Sequence, residues 1–182
     1  RPTKPSTVYD RHKDLNAAFG QRYGWERPNW FAAKGKEPLN QYSFHTRRTN
    51  WFERVGLEVV GTRERAALLD LTPFAKHEVS GPGAEAFLDS MVANRLPKKK
   101  GGITLAHALT PTGGVESEFT ITREDEDRFY LVSSGAAERH DHDLLLKNLP
   151  KDNSVKLVNK TLDLGTLVVC GPESRNLMAK LT

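Results

Sequence analysis

The sequence predicts an α+β fold: a mostly antiparallel sheet with packed helices, preceded by an irregular, aromatic-rich arm. Three observations point there. Strand-like segments joined by short turns fill the middle of the chain, and stretches with helical apolar spacing flank them. All three tryptophans (Trp25, Trp30 and Trp51) fall early, in sequence that sustains no apolar period. The chain has 182 residues, 37% hydrophobic and 27% charged, with a formal net charge of +4. That length suits one large domain, or a domain with an extension, and is ample for a buried core. No stretch approaches the ~20 uninterrupted apolar residues of a membrane-spanning helix. The single cysteine, Cys170, has no partner for an internal disulfide, which excludes a stapled scaffold and favours a reducing compartment. A mildly basic balance does not by itself imply nucleic acid. The chain begins Arg1-Pro2, without methionine or signal peptide, and reads as a piece of something longer.

Taken in order, Asp10 to Phe19 suits a short helix closed by Gly20 as its C-cap. Trp25 to Phe52 looks irregular and holds an echo, Asn29-Trp30-Phe31 and Asn50-Trp51-Phe52, whose large aromatics would anchor the arm on a surface it covers. Arg54–Leu69 suits a helix with Val55, Val59, Ala66 and Leu69 on one face. Ala75–Ser80 alternates as a strand, Gly81-Pro82-Gly83 turns the chain, and Ala84–Asn94 spaces Ala84, Phe87, Leu88 and Met91 for burial in a helix. Ile103–Leu109, Val115–Arg123 and Arg128–Ser134 form an antiparallel meander, with turns at Thr112-Gly113-Gly114 and Glu124–Asp127. A helix over Ala136–Leu149 stops at Pro150. A last strand, Gly165–Cys170, enters Gly171-Pro172 and a closing helix from Glu173. Val79-Ser80-Gly81-Pro82 and Val169-Cys170-Gly171-Pro172 echo one another, which suggests a pseudo-duplicated, ferredoxin-like arrangement.

Most motif-like features have structural readings. Gly81-x-Gly83-x-x-Ala86 matches the dinucleotide fingerprint formally, but Pro82 removes a backbone donor, and Lys98 to Gly102 stand where an acidic ribose partner belongs. On a helix His140 and His142 point about 200° apart, so His140-Asp141-His142-Asp143 reads as a solvated face and no metal is expected. His12, His45, His77 and His107 show no ligand spacing. Lys98–Lys100 reads as a solvated turn, and Cys170 as a buried small hydrophobe. In Val115 to Thr122, Val115, Phe119 and Ile121 face one way and Glu116, Glu118, Thr120 and Thr122 the other. Two accounts fit that alternation: a half-exposed sheet with a polar outer face, or a carboxylate aimed into a cleft to hold or shuttle a proton on a bound amine or pterin. Pattern alone leaves both open.

Several blocks, in order, resemble a known family. Arg1-Pro2 with Val8-Tyr9-Asp10, Gly24-Trp25-Glu26-Arg27-Pro28-Asn29-Trp30-Phe31, and Asn50-Trp51-Phe52 with Val55-Gly56 and Glu58 resemble the region following the flavin domain of dimethylglycine and sarcosine dehydrogenases. Leu69-Asp70-Leu71-Thr72-Pro73-Phe74-Ala75-Lys76, Val79-Ser80-Gly81-Pro82-Gly83-Ala84 and Gly113-Gly114-Val115-Glu116-Ser117-Glu118-Phe119-Thr120 resemble the folate-binding half that those enzymes share with the glycine-cleavage T-protein, an aminomethyltransferase. Phe129-Tyr130-Leu131-Val132 and Gly171-Pro172 continue the match, which runs over essentially the whole chain.

The resemblance implies that residues 1–54 are an arm following a missing FAD domain and residues 55–182 the first part of an incomplete T-protein-like folate-binding domain. It implies a longer FAD- and folate-dependent N-methyl amine dehydrogenase, with the fragment alone inactive. The FAD domain would oxidise an amine such as dimethylglycine or sarcosine to an iminium. This region would bind tetrahydrofolate and capture the one-carbon unit as 5,10-methylenetetrahydrofolate. Matched without gaps, Glu118 stands where T-proteins place a catalytic aspartate. Leu105, Tyr130 and Val132 stand at apolar pterin contacts, Ser134 at a further folate contact, and Phe74 beside the pterin. Thr110 and Ser134 stand where asparagine is usual. The implied partners are the small-molecule substrate and the FAD domain of the same chain, with no nucleic acid and no membrane. The implied location is intracellular, in bacterial cytoplasm or mitochondrial matrix. The rival readings are a non-catalytic regulatory module, similar to the regulatory subunit of pyruvate dehydrogenase phosphatase, and a folate-dependent methyltransferase or demethylase.

Overall fold

A computed structural model describes residues 4–41 and 48–181. In chain order its elements are α1 (Tyr9–Asp14), β1 (Ala17–Arg22), β2 (Trp25–Phe31), α2 (Phe52–Glu64), β3 (Ala67–Asp70), β4 (Ala75–Ser80), α3 (Ala84–Met91), β5 (Ile103–Leu109), β6 (Val115–Asp125), β7 (Arg128–Ser133), α4 (Glu138–Lys147), β8 (Lys156–Asn159), β9 (Leu167–Cys170) and α5 (Ser174–Met178). The chain divides into two compact units, Arg1–Thr72 with Gly165–Thr182, and Pro73–Leu164.

The unit over Pro73–Leu164 carries a five-stranded sheet, β5-β6-β7-β4-β8, antiparallel at every pairing. With β5 set aside, the β4-α3-β6-β7-α4-β8 path and its strand order are those of a ferredoxin-like split βαβ motif, with β5 added at the edge. Strand alternation sends Ala106, Ala108, Phe119, Ile121, Phe129, Leu131 and Val79 to one face, where Ala84, Phe87 and Leu88 of α3 and Leu145 of α4 cover them. Each fully buried Phe, Leu or Ile there contributes ~1.5–3 kcal/mol. Arg123 closes one end of this core. Its guanidinium lies 4.5 Å from the Phe129 ring, donates to the Pro97 and Glu126 carbonyls at 2.6 Å, and pairs with Glu85 at 2.6 Å. Gly81, at φ +114°, enters α3, and the Gly81 and Gly83 amides donate to Asp127 O and Ser154 O. Those N–H groups are therefore used within the protein, as befits a structural turn.

The other unit holds two small antiparallel sheets, β1-β2 and β3-β9. Trp30, Ala18 and Ala32 form its buried cluster, with Trp51 and Val55 packed against them. Lys4 lies over the Trp25 ring at 5.6 Å.

Several sequence expectations are corrected here. The helix expected over Asp10 to Phe19 ends at Asp14, because Asn16 adopts a left-handed φ of 62°, and Gly20 lies in a strand. Within the stretch read as irregular, Trp25–Phe31 is a strand. Tyr23 and Gly24, both at positive φ, make a tight hairpin turn that a non-glycine first residue disguised. Residues 42–47 of that stretch lie outside the described residues. The helix over Arg54–Leu69 stops at Glu64, and Ala67–Asp70 instead pairs with β9, where ladder hydrogen bonds replace helical ones. Lys156–Asn159, a segment with no strand expectation, forms β8 by pairing with β4. The two Gly-Pro echoes do repeat locally, both glycines lying at strongly positive φ, but β4 and β9 belong to different sheets. Cys170 is half-buried rather than buried.

Candidate functional site

The face of the five-stranded sheet opposite α3 and α4 is organised by cross-strand register. One row runs Ile103, Thr122, Tyr130, Glu78 and Val158 across the strands, and the next runs Leu105, Thr120, Val132 and Lys76. In a third, His107 of β5 faces Glu118 of β6. At ~4.8 Å between strands and ~3.3 Å per residue, the longest row runs ~19 Å across the sheet and the three rows span ~13 Å along it. Leu105 is 52% exposed, and Tyr130 and Val132 are half-buried. Leu105, Tyr130 and Val132 thus offer apolar surface beside Thr120 and Thr122, with Lys76 fully buried on the β4 side and the Glu118 carboxylate at the β6 end.

Glu118 carries that carboxylate, its side chain 58% exposed. Its Oε2 lies 3.0 Å from His107 Nε2. An ionised carboxylate only accepts, so the hydrogen of this contact is assigned to Nε2. Sequence reasoning missed His107, although a signal existed: pairing symmetric about Thr112 and Gly113 sets His107 opposite Glu118. The Thr110 hydroxyl builds the same hairpin, accepting from Gly114 N at 3.0 Å. Of the sequence-predicted residues, Glu118, Leu105, Tyr130 and Val132 come together on this face. Ser134 lies one residue beyond β7, where its hydroxyl accepts from Ala136 N at 3.3 Å and its carbonyl from Ala137 N, shaping the entry to α4. Phe74 precedes β4, exposed, and its carbonyl accepts from Lys76 Nζ at 2.9 Å.

Two expectations about side chains change. Val115 is exposed at 65%, not turned inward with Phe119, because the ladder shifts register between Ala108 and Leu109 and leaves Glu116 as an extra residue. In the segment His140–Asp143, His140 and Asp143 are exposed as a solvated face requires, but Asp141 and His142 are not. Asp141 is fully buried and accepts from Ser117 Oγ at 2.6 Å and Ser133 Oγ at 2.5 Å, while His142 stacks on His77 with ring centroids 5.4 Å apart. Hydroxyls beneath the sheet supply the partners that let a carboxylate go inside. Among the described residues no cluster of His, Cys, Asp or Glu could hold a metal ion, and no helix is long and apolar enough to cross a membrane.

The family model for the GCVT N-terminal domain matches residues 8–182. The chain belongs to that family. Over its full length it is 36% identical to human mitochondrial dimethylglycine dehydrogenase and 32% identical to a 4-methylaminobutanoate oxidase (formaldehyde-forming) of Paenarthrobacter nicotinovorans. It covers 21% and 22% of those two proteins, about a fifth of their length. The structure of the glycine cleavage system aminomethyltransferase T from Bartonella henselae superimposes with a TM-score of 0.77 at 23% identity, covering 97% of this chain and 43% of that one. The α+β fold of this GCVT-family chain is therefore that of the T-protein aminomethyltransferase, present in part.

Proposed function

We propose that this chain is the tetrahydrofolate-binding portion of a longer, FAD-dependent oxidative N-demethylase of the dimethylglycine or sarcosine dehydrogenase type. The observation that carries the reading is the convergence of Glu118, Leu105, Tyr130 and Val132 on one open sheet face. In support, a protein 36% identical over the whole chain is named for dimethylglycine oxidation, and a second, 32% identical, for formaldehyde formation from a methylamino acid. In this reading residues 1–54 are the arm after the FAD domain and residues 55–182 the first part of the folate domain. The protein works inside the cell, in bacterial cytoplasm or mitochondrial matrix, as fits a mitochondrial relative.

The face fits its ligand. A bicyclic pterin is smaller than this patch and needs apolar side chains against its ring face and a polar group at its edge for ring N–H. Leu105 and Val132 make the platform, with Tyr130 beside them and Ser134 and Phe74 at the strand ends. Tetrahydrofolate would supply the two nitrogens that bridge the one-carbon unit as 5,10-methylenetetrahydrofolate, while the C–N bond to the substrate breaks and the demethylated amine leaves. Glu118 Oε1, which has no protein partner among the described residues, would take up the proton released there, as Oε2 is held by His107. Most of the acceleration would come from holding the two reactants together.

Glu118→Gln in the full-length enzyme keeps nearly the same shape but cannot take a proton. We expect flavin reduction by the amine to persist while folate-coupled transfer falls at least tenfold. An unchanged yield of methylenetetrahydrofolate refutes the assignment. Calorimetric titration that finds no tetrahydrofolate binding to the full-length protein would favour the regulatory-module reading instead.

A further inference from the structure

We propose that His107 is a positioning residue for Glu118, holding the carboxylate in the one orientation that serves the folate-side chemistry; this rests on the function proposed above. The geometry begins with the backbone. β5 is an edge strand, yet at His107 its outer edge is clamped: His107 N donates to Asn94 Oδ1 at 2.9 Å, and His107 O accepts from Ala93 N at 2.9 Å. On the inner edge His107 is directly opposite Glu118 in the β5-β6 ladder. The imidazole thus starts from a fixed Cα and meets Glu118 Oε2 at 3.0 Å.

Glu118 needs such a partner. An exposed glutamate has three free torsions, and confining it costs about 1–2 kcal/mol of rotamer freedom. The pair does little for the fold, because both side chains are partly exposed (33% for His107, 58% for Glu118), and exposed ion pairs contribute about 0–1 kcal/mol. What the contact does is occupy Oε2 and leave Oε1 as the oxygen without a protein partner among the described residues. Side-chain length matters as well. An aspartate at 118 would draw the carboxylate back by one C–C bond, ~1.5 Å, and open the contact beyond hydrogen-bond range. Glutamate on β6 and histidine on β5 therefore work as one unit, each chosen for the other's reach.

The test compares His107→Leu, His107→Gln, Glu118→Gln and the His107→Leu/Glu118→Gln double variant in the full-length enzyme. Flavin reduction and methylenetetrahydrofolate formation are measured separately, with thermal unfolding of each variant. We expect His107→Leu to lower kcat for transfer about tenfold, with folate KM, flavin reduction and Tm nearly unchanged. His107→Gln, whose amide can still donate to Oε2, should recover most of that loss. The double variant should be no slower than Glu118→Gln alone, since removing either member already breaks the unit. Slow transfer in Glu118→Gln beside wild-type transfer in His107→Leu overturns the positioning role and leaves the folate reading intact. So does an additive double variant, or a His107→Leu defect that appears only in KM or tracks a fallen Tm without rescue by glutamine. Wild-type transfer in Glu118→Gln overturns both.

Discussion

His77 makes the acid stability of this fold predictable. Its ring is fully buried on the helix side of β4, stacked on His142 at an interplanar angle of 17°, and neither ring nitrogen has a hydrogen-bond partner. Burial, aided by the neighbouring His142, pushes its pKa down from 6.5 to about 4, against the weaker opposite pull of Asp141 and Glu138. The unfolded chain takes up this proton near pH 6.5, and the folded chain only near pH 4. The associated stability is therefore full above pH 6.5 and is lost as pH falls towards 4. At 1.36 kcal/mol per unit, the whole loss is about 3 kcal/mol, of which about 2 kcal/mol falls between pH 7 and pH 5. His77→Leu removes the titration and also the unpartnered nitrogens, whose burial costs about 1–3 kcal/mol. Urea unfolding followed by far-ultraviolet circular dichroism should find the variant within ~1 kcal/mol of wild type, or more stable, at pH 7. By pH 5 the difference should have moved about 2 kcal/mol further in the variant's favour. Parallel stability curves for the two proteins from pH 7 to pH 5 would refute the reasoning.

Two other substitutions probe the same layer. Asp141→Ala strips the partner from Ser117 and Ser133 hydroxyls beneath the sheet and should cost ~2–4 kcal/mol in denaturant unfolding, with Asp141→Asn costing less; equal costs would mean that an amide cannot stand in for the carboxylate at all. Gly81→Ala puts a Cβ 2.4 Å from Ser154 O at a φ of +114°, so a loss of ~2–4 kcal/mol is expected, and an unchanged Tm would mean that the turn before α3 relaxes freely.

The meander was legible because its determinants are local. Turn residues at Thr112-Gly113-Gly114, strict alternation through Phe119 and Ile121, and short connections specify three neighbouring strands without reference to the rest of the chain. α3 was legible for the same reason, its apolar positions repeating at helical spacing. Ala67–Asp70 misled, since its leucines continue a helical period and only the partner strand β9, about a hundred positions away, makes them a strand. Tyr23 misled at the first hairpin because a left-handed tyrosine carries no sequence mark.

For the candidate site the division is the same. Sequence by itself determined which residue types share a strand face: Glu118 with Thr120, Tyr130 with Val132, and Leu105 two positions before His107. It also carried the family resemblance on which the functional expectation stands. Tertiary structure alone decided that β4 docks beside β7 and brings Lys76 and Glu78 to this face, and that Asn94 clamps the free edge of β5. It alone decided that Asp141 turns inward to two serines and that His77 meets His142. The physical reason is that periodicity reports which side of its own element a residue occupies. The partner across the gap is set by packing between elements distant in sequence, and neither propensity nor spacing encodes that distance.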